Sequence, residues 1–159
     1  MIEERILAAK QYVKTLFADR ADGHDVAHTL RVYTNAMRIA QAEGLCDLEI
    51  VGLSALLHDA DDYKLFQTEN NANARMFLEE IGVPKKQIDQ ICRVINAVSF
   101  SKNRSKQPET LEGKIVQDAD RLDAIGSVGI ARTFSYGGHK GRPLTAVSYT
   151  HLRAHETAA

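Results

Sequence analysis

The chain has 159 residues, of which 44% are hydrophobic and 26% are charged, and its formal net charge is −1. This composition is typical of one soluble globular domain, and the near-neutral charge argues against binding along a nucleic-acid polymer. No apolar run is long enough to span a membrane, and the first residues lack the pattern of a signal peptide, so we expect a cytoplasmic protein without a membrane partner.

Apolar residues recur at helical spacing along most of the chain, and no alternating pattern long enough for a strand is present, which predicts an all-α domain. In chain order the predicted helices are 2–17, 26–43, one capped by Asp47 that carries 50–57, 69–81, one that begins at Pro84, and 111–126 continued by 128–134. The stretches 100–110 and 136–143 are predicted to be loops, the second of them rich in glycine and basic residues.

The third predicted helix ends in ionisable residues. Its apolar run 53–57 is followed at once by His58 and Asp59, and then by Asp61 and Asp62. Ionisable groups at the end of a buried helix need partners, because an isolated buried charge is costly. A divalent cation is a suitable partner for a neutral imidazole beside a carboxylate. A lone His-Asp pair is also typical of a helix end exposed to solvent, so the rest of the chain decides.

Four candidate metal ligands lie on separate predicted helices: His28, the pair His58 and Asp59, and Asp118. Two imidazoles and two carboxylates form a mixed nitrogen and oxygen set, which favours Mn²⁺, Fe²⁺, Co²⁺, Ni²⁺ or Zn²⁺ over Ca²⁺. Such an ion lowers the pKa of a bound water and can generate a nucleophilic hydroxide near neutral pH.

The same residues carry a family resemblance. The order His28, then His58 and Asp59, then Asp118 resembles the H…HD…D pattern of the HD superfamily of metal-dependent phosphohydrolases. The run DADRLDAIG at 118–126, with GIARTF at 129–134 and YGG at 136–138, resembles the stand-alone bacterial branch of the YedJ/YpgQ type.

The resemblance covers most of the chain and implies an HD-domain helical bundle. It implies metal ligation by His28, His58, Asp59 and Asp118, and one divalent ion, most often Mn²⁺, with Mg²⁺ a further candidate. It also implies hydrolysis of a phosphate ester or anhydride of a nucleotide or similar small molecule, with nucleoside triphosphate pyrophosphohydrolase activity as one form. None of the six histidines falls between His58 and Asp118, where relatives with several metals carry more, so a mononuclear hydrolytic site is favoured.

Further roles are predicted around these ligands. Asp59 and Asp62 are the candidate catalytic carboxylates, and Asp62 would orient or deprotonate the attacking water, although a solvated turn carboxylate fits its position equally. The candidate contacts to substrate phosphate are Arg31, Lys64, Arg121 and Lys140. Each of these is also compatible with an ordinary surface charge. One or two of the charged residues at 120, 121 and 123 are expected to form a structural ion pair near Asp118.

Two alternatives to an enzyme remain at this point. One is a metal and nucleotide sensor that keeps the site without turnover, and the other is a helical scaffold in which the His and Asp residues are structural. Metal content separates the scaffold from the other two, and turnover with Mn²⁺ separates the enzyme from the sensor. The sequence leaves the oligomeric state open.

The last residues are expected to be foreign to the domain. The stretch 147–157 resembles a peptide translated from sequencing-adapter DNA, so we expect the HD domain to span 1–144 and 145–159 to be a non-native tail. His151 and His155 are then expected to bind no functional metal. The family bundle continues beyond this point, so a C-terminally truncated bundle is expected to expose apolar faces and to melt at a lower temperature.

Overall fold

The computed structural model describes residues 2–18, 26–62, 65–98 and 107–142, and within them it has seven α-helices and no β-strand. The helices are α1 Ile2–Leu16, α2 Val26–Glu43, α3 Leu48–Leu57, α4 Ala72–Glu80, α5 Lys85–Val98, α6 Leu111–Leu122 and α7 Gly126–His139. The predicted all-α class is confirmed. Within these ranges no helix is both long and apolar enough to cross a membrane.

Helix α3 is the central element of the bundle. It contacts α1, α2, α5 and α6, and every residue from 49 to 57 is buried. A helix surrounded in this way has no polar face to present, which explains its apolar sequence. As predicted, Asp47 caps the helix: its side chain accepts hydrogen bonds from the backbone N–H groups of Glu49 (2.9 Å) and Ile50 (3.1 Å). The C-terminal end of α3 therefore places His58 and Asp59 in the interior of the bundle.

Helices α2 and α6 pack against α3 and against each other. Both helices bury small side chains, which are Ala36 and Ala40 on α2 and Ala119 on α6. Small residues allow the helices to approach closely. This packing brings the first turn of α2, the end of α3 and the last turn of α6 to one end of the bundle, where the candidate site lies.

The turn after α3 is held in place by α4. The Asn73 side chain donates to the carbonyl of Ala60 (2.8 Å), and the two carboxylate oxygens of Asp61 accept from the N–H groups of Asn73 (2.9 Å) and Ala74 (3.0 Å). Asp61 thus caps α4 from a distant position in the chain, since Asn71 makes no side-chain cap. Asp61 has a structural role, and it fixes the turn that carries Asp59 and Asp62.

Replacement of Asp61 by alanine is expected to lower the free energy of unfolding by about 0.5–2 kcal/mol, the usual loss for an N-cap. Urea denaturation followed by circular dichroism measures this change. Asp89→Ala is the control, because Asp89 pairs with Arg75 (2.8 Å) where solvent screens the two charges, so its loss should change the stability little. Equal stability of Asp61→Ala and the parent protein would contradict the assigned cap.

Two predicted helix boundaries are wrong. Helix α4 begins at Ala72 rather than at 69, because Asn70 and Asn71 adopt left-handed backbone angles with φ of 55° and 57°. The predicted continuous segment 111–134 is interrupted after Leu122, and α7 starts at Gly126, where φ is 68°. A helix cannot continue through such an angle, which glycine adopts readily, so a turn separates α6 from α7.

The C-terminal helix α7 extends further than predicted and rests on the turn before it. It runs to His139, so part of the predicted loop 136–143 is helical. Gly129 is its one buried residue, and a Cβ atom at that position would collide with the carbonyl of Ala124. Ile130 and Phe134 are exposed. The predicted tail 145–159 lies outside the described residues.

Candidate metal centre

His28, in the first turn of α2, is buried, and its Nδ1 lies 2.7 Å from a carboxylate oxygen of Asp123. His58, at the end of α3, has its Nδ1 2.8 Å from the carbonyl oxygen of Ala55. Carbonyl and carboxylate oxygens only accept hydrogen bonds, so each imidazole donates through Nδ1. In a neutral imidazole the lone pair then lies on Nε2.

The two Nε2 atoms face the same point. They lie 3.3 Å apart, and two carboxylate oxygens complete the group. Asp59 Oδ2 is 3.6 Å from Nε2 of His28 and 3.3 Å from Nε2 of His58. Asp120 Oδ1 is 3.4 Å and 3.6 Å from the same two atoms. The ligand atoms of His28, His58 and Asp120 all lie within 4.8 Å of one another.

These residues fit a divalent ion by their spacing and by their chemistry. Adjacent ligand atoms about 2.0–2.3 Å from a common ion are about 2.8–3.8 Å apart, and the observed separations fall within that range. Two imidazole lone pairs 3.3 Å apart repel unless a positive charge lies between them. A cation held by two imidazole nitrogens and two carboxylate oxygens removes that repulsion.

The electrostatics of the cluster favour positive charge. Burial acts to lower the pKa of His58, but the carboxylates of Asp59 and Asp120 raise it to about 10. Burial acts to raise the pKa of Asp120, but hydrogen bonds from His28 and His58 hold it below its ordinary value. The two carboxylates thus favour a positive charge at this point, which a divalent ion could supply.

Asp120, rather than the predicted Asp118, lies beside the two histidines, so the structure does not bring the predicted Asp118 to the cluster. Asp118 is exposed, and it lines a different surface cavity together with Arg121 and Leu122. Residues two apart on an α-helix point about 200° away from each other, so one of the two aspartates faces the bundle and the other faces solvent. The ligand order alone did not show which of the two it was.

Asp123 was missed as a member of this site, although a structural ion pair was expected nearby. Its carboxylate is buried and accepts hydrogen bonds from His28, from Arg31 Nε (2.6 Å) and Nη2 (3.0 Å), and from Arg132 Nη1 (3.0 Å). Burial acts to raise the pKa of Asp123, but the Arg31 and His28 hydrogen bonds lower it below its ordinary value. The position three residues after Asp120, on the same helical face, was the available signal.

Asp62 and the candidate phosphate contacts have different positions. Asp62 is half-buried, and its N–H donates to the carbonyl of Asp59 (3.1 Å), so it stays next to the cluster. Arg31 borders the cluster through Asp123. Arg121 is exposed beside Asp118, and Lys140 is exposed after the end of α7. Lys64 lies outside the described residues.

Comparison with known proteins identifies the family. The HD domain family model matches residues 25–125, which include both histidines and the aspartates of the cluster. The chain belongs to the HD domain family. This HD protein is also 41% identical to YpgQ of Bacillus subtilis over 139 residues, covering 85% of the chain and 67% of YpgQ. The predicted resemblance to the YpgQ branch is therefore confirmed.

A second relative agrees with this assignment. The HD protein is 32% identical over 152 residues to protein L803 of Acanthamoeba polyphaga mimivirus, covering 86% of the chain and 62% of L803. It thus spans about two thirds of the length of these relatives.

Two solved structures are also similar to this chain. One is B. subtilis YpgQ in complex with ADP, with a TM-score of 0.74 and 35% identity, covering 91% of the chain and 73% of YpgQ. The second is an HD-superfamily hydrolase from Bacillus thuringiensis, with a TM-score of 0.70 and 36% identity, covering 94% of the chain and 72% of that protein. The fold and the family are therefore shared with these structures.

Proposed function

We propose that this HD protein is a metal-dependent phosphohydrolase whose substrate is a nucleotide or a similar small phosphate ester or anhydride. The observation that carries the proposal is the convergence of two imidazole nitrogens and two carboxylate oxygens on one point, with separations of 3.3–3.6 Å. Membership of the HD family and similarity to an HD-superfamily hydrolase support a hydrolytic reaction.

The proposed ligands of one divalent ion are His28, His58, Asp59 and Asp120, with Mn²⁺ as the first candidate. When bound, such an ion supplies a water of lowered pKa and offsets the negative charge of the reacting phosphate. The hydrogen bonds of both Nδ1 atoms keep the imidazoles fixed, so the donor atoms are positioned before any metal or substrate binds.

We assign the proton-accepting role to Asp62. It follows Asp59 on the turn that Asp61 and Asn73 attach to α4, so its backbone is held next to the cluster. A carboxylate in that position can accept the proton of an attacking water and return it to the leaving oxygen. Asp59 would act as a ligand that orients the same water.

The substrate class is proposed from the relative that binds ADP. The complex of YpgQ with ADP supports a nucleoside diphosphate or triphosphate as the ligand of this protein. The Arg31 side chain is 38% exposed, which is compatible with a phosphate contact in addition to its pairing with Asp123. Lys64 and Lys140 stay proposed phosphate contacts. Arg121 is the weakest of the four proposals, because it lies beside Asp118 on another surface.

The proposed activity is tested with a panel of nucleoside mono-, di- and triphosphates in the presence of Mn²⁺, with phosphate and pyrophosphate release measured separately. We expect hydrolysis of at least one nucleotide, loss of activity with a chelator, and recovery when Mn²⁺ is restored. His58→Ala is the matched inactive control. Tight Mn²⁺ and nucleotide binding without hydrolysis would instead indicate a sensor, and absence of metal binding would indicate a helical scaffold.

A further inference from the structure

We propose that Asp123 is the positioning residue of this centre: it fixes His28 with the proton on Nδ1 and the lone pair on Nε2, and two arginines hold it in place. This inference rests on the proposed metal centre and goes beyond it, since Asp123 is not among the ligands. The 2.7 Å contact between Asp123 Oδ2 and His28 Nδ1 is the observation from which it starts.

The other neutral tautomer of His28 could not bind a metal ion through Nε2. If the proton moved to Nε2, His28 would present an N–H group to His58, Asp59 and Asp120 in place of a lone pair. The carboxylate of Asp123 opposes this, because it stabilises a proton on the nitrogen that it faces. His58 achieves the same result with the backbone carbonyl of Ala55, so both imidazoles are oriented, but only His28 depends on a side chain.

Two guanidinium groups hold Asp123 itself. Arg31 comes from α2, three residues after His28, and it binds both carboxylate oxygens of Asp123. Arg132 comes from α7 and binds Oδ2. A carboxylate that is only 4% exposed needs such partners to stay charged. The pairing gives Arg31 a role that differs from the phosphate contact expected from the sequence.

The contact with Arg132 connects α7 to the metal centre. The side chains of helix α7 are mostly exposed. Because Gly129 has no Cβ atom, the helix can pack closely against the turn that follows Asp123. Arg132 lies three residues after Gly129, so it is directed back to the same turn. Correct placement of α7 is therefore expected to influence metal affinity through Asp123, although α7 supplies none of the proposed ligands.

Asp123→Asn tests the inference. An amide has only one acceptor oxygen, so it cannot accept hydrogen bonds from His28 Nδ1 and from both Nε and Nη2 of Arg31. Mn²⁺ affinity of the protein without substrate is measured by titration calorimetry. We expect a loss of about 10–100-fold, the usual effect of removing an outer partner of a metal ligand. Asp89→Asn is the matched control, since it neutralises an aspartate that pairs with Arg75 away from the cluster, and this variant should bind Mn²⁺ with the affinity of the parent.

A second measurement reads the imidazole directly. In the Zn²⁺-loaded protein, nitrogen NMR should show a His28 Nδ1 proton that exchanges slowly in the parent and faster in Asp123→Asn, because the carboxylate that accepts it is lost. A His28 proton on Nε2 would overturn the inference, as would a metal affinity of Asp123→Asn equal to that of the parent. Failure of nucleotide hydrolysis alone would overturn the proposed function and leave this inference standing, because both readouts use metal without substrate.

Discussion

Asp120→Ala is expected to lose Mn²⁺ binding and hydrolysis together, whereas Asp118→Ala keeps both. Asp120 places an oxygen 3.4 Å and 3.6 Å from the two imidazole nitrogens, and Asp118 is exposed on another surface. Removal of a direct ligand should weaken metal affinity by at least about 100-fold, beyond the 10–100-fold typical of outer partners. Titration calorimetry with Mn²⁺ and nucleotide hydrolysis assays measure the two effects.

The two variants control for each other, because they remove the same side chain from the same helix two positions apart. Circular dichroism should show that both retain the helical content of the parent. The reverse pattern, with metal lost in Asp118→Ala and kept in Asp120→Ala, would restore the ligand expected from the sequence. Equal affinity in both variants would show that neither aspartate binds the ion.

Asp62→Asn is expected to lower kcat by about 10²–10⁴-fold, the usual contribution of general acid–base catalysis, while Mn²⁺ affinity stays at the parental value. An amide keeps the size of the side chain but accepts a proton poorly. This separation of turnover from metal binding distinguishes a proton acceptor from a ligand, since loss of a ligand would change both. Single-turnover hydrolysis with saturating Mn²⁺ gives the rate.

Asp89→Asn is the control for this experiment. Asp89 pairs with Arg75 and belongs to none of the proposed ligands or catalytic groups, so its neutralisation should leave the hydrolysis rate nearly unchanged. If Asp62→Asn is fully active, Asp62 has no part in proton transfer, and the metal centre is unaffected by that result.

The sequence by itself determined the features that depend on local physics. Helical spacing predicted the all-α class, and Asp47 was recognised as the cap of α3, which the structure confirms. The apolar run before His58 and Asp59 predicted a buried helix end, because a helix without a polar face must lie inside a bundle. The motif order also identified the HD family, which the match over residues 25–125 confirms.

Only the tertiary structure decided which charged residues meet. Asp118, Asp120 and Asp123 share one short stretch, and the choice among them depends on the rotation of α6 about its axis. Packing of α6 against α2 and α3 sets that rotation and turns Asp120 toward the histidines. The pairing of Asp123 with His28 and Arg31 joins positions 95 and 92 residues apart.

The break between α6 and α7 was hidden for a related reason. Apolar spacing continues past Gly126, and a single glycine can lie inside a helix at a cost of only about 0.5–1 kcal/mol, so the spacing did not show the φ of 68°. That turn places Arg132 beside Asp123. Local spacing thus specified the helices and the chemical types at the site. Which side chains meet at the cluster, and which contacts support them, was decided by how the helices pack, because contacts between distant segments leave no periodic signal in the chain.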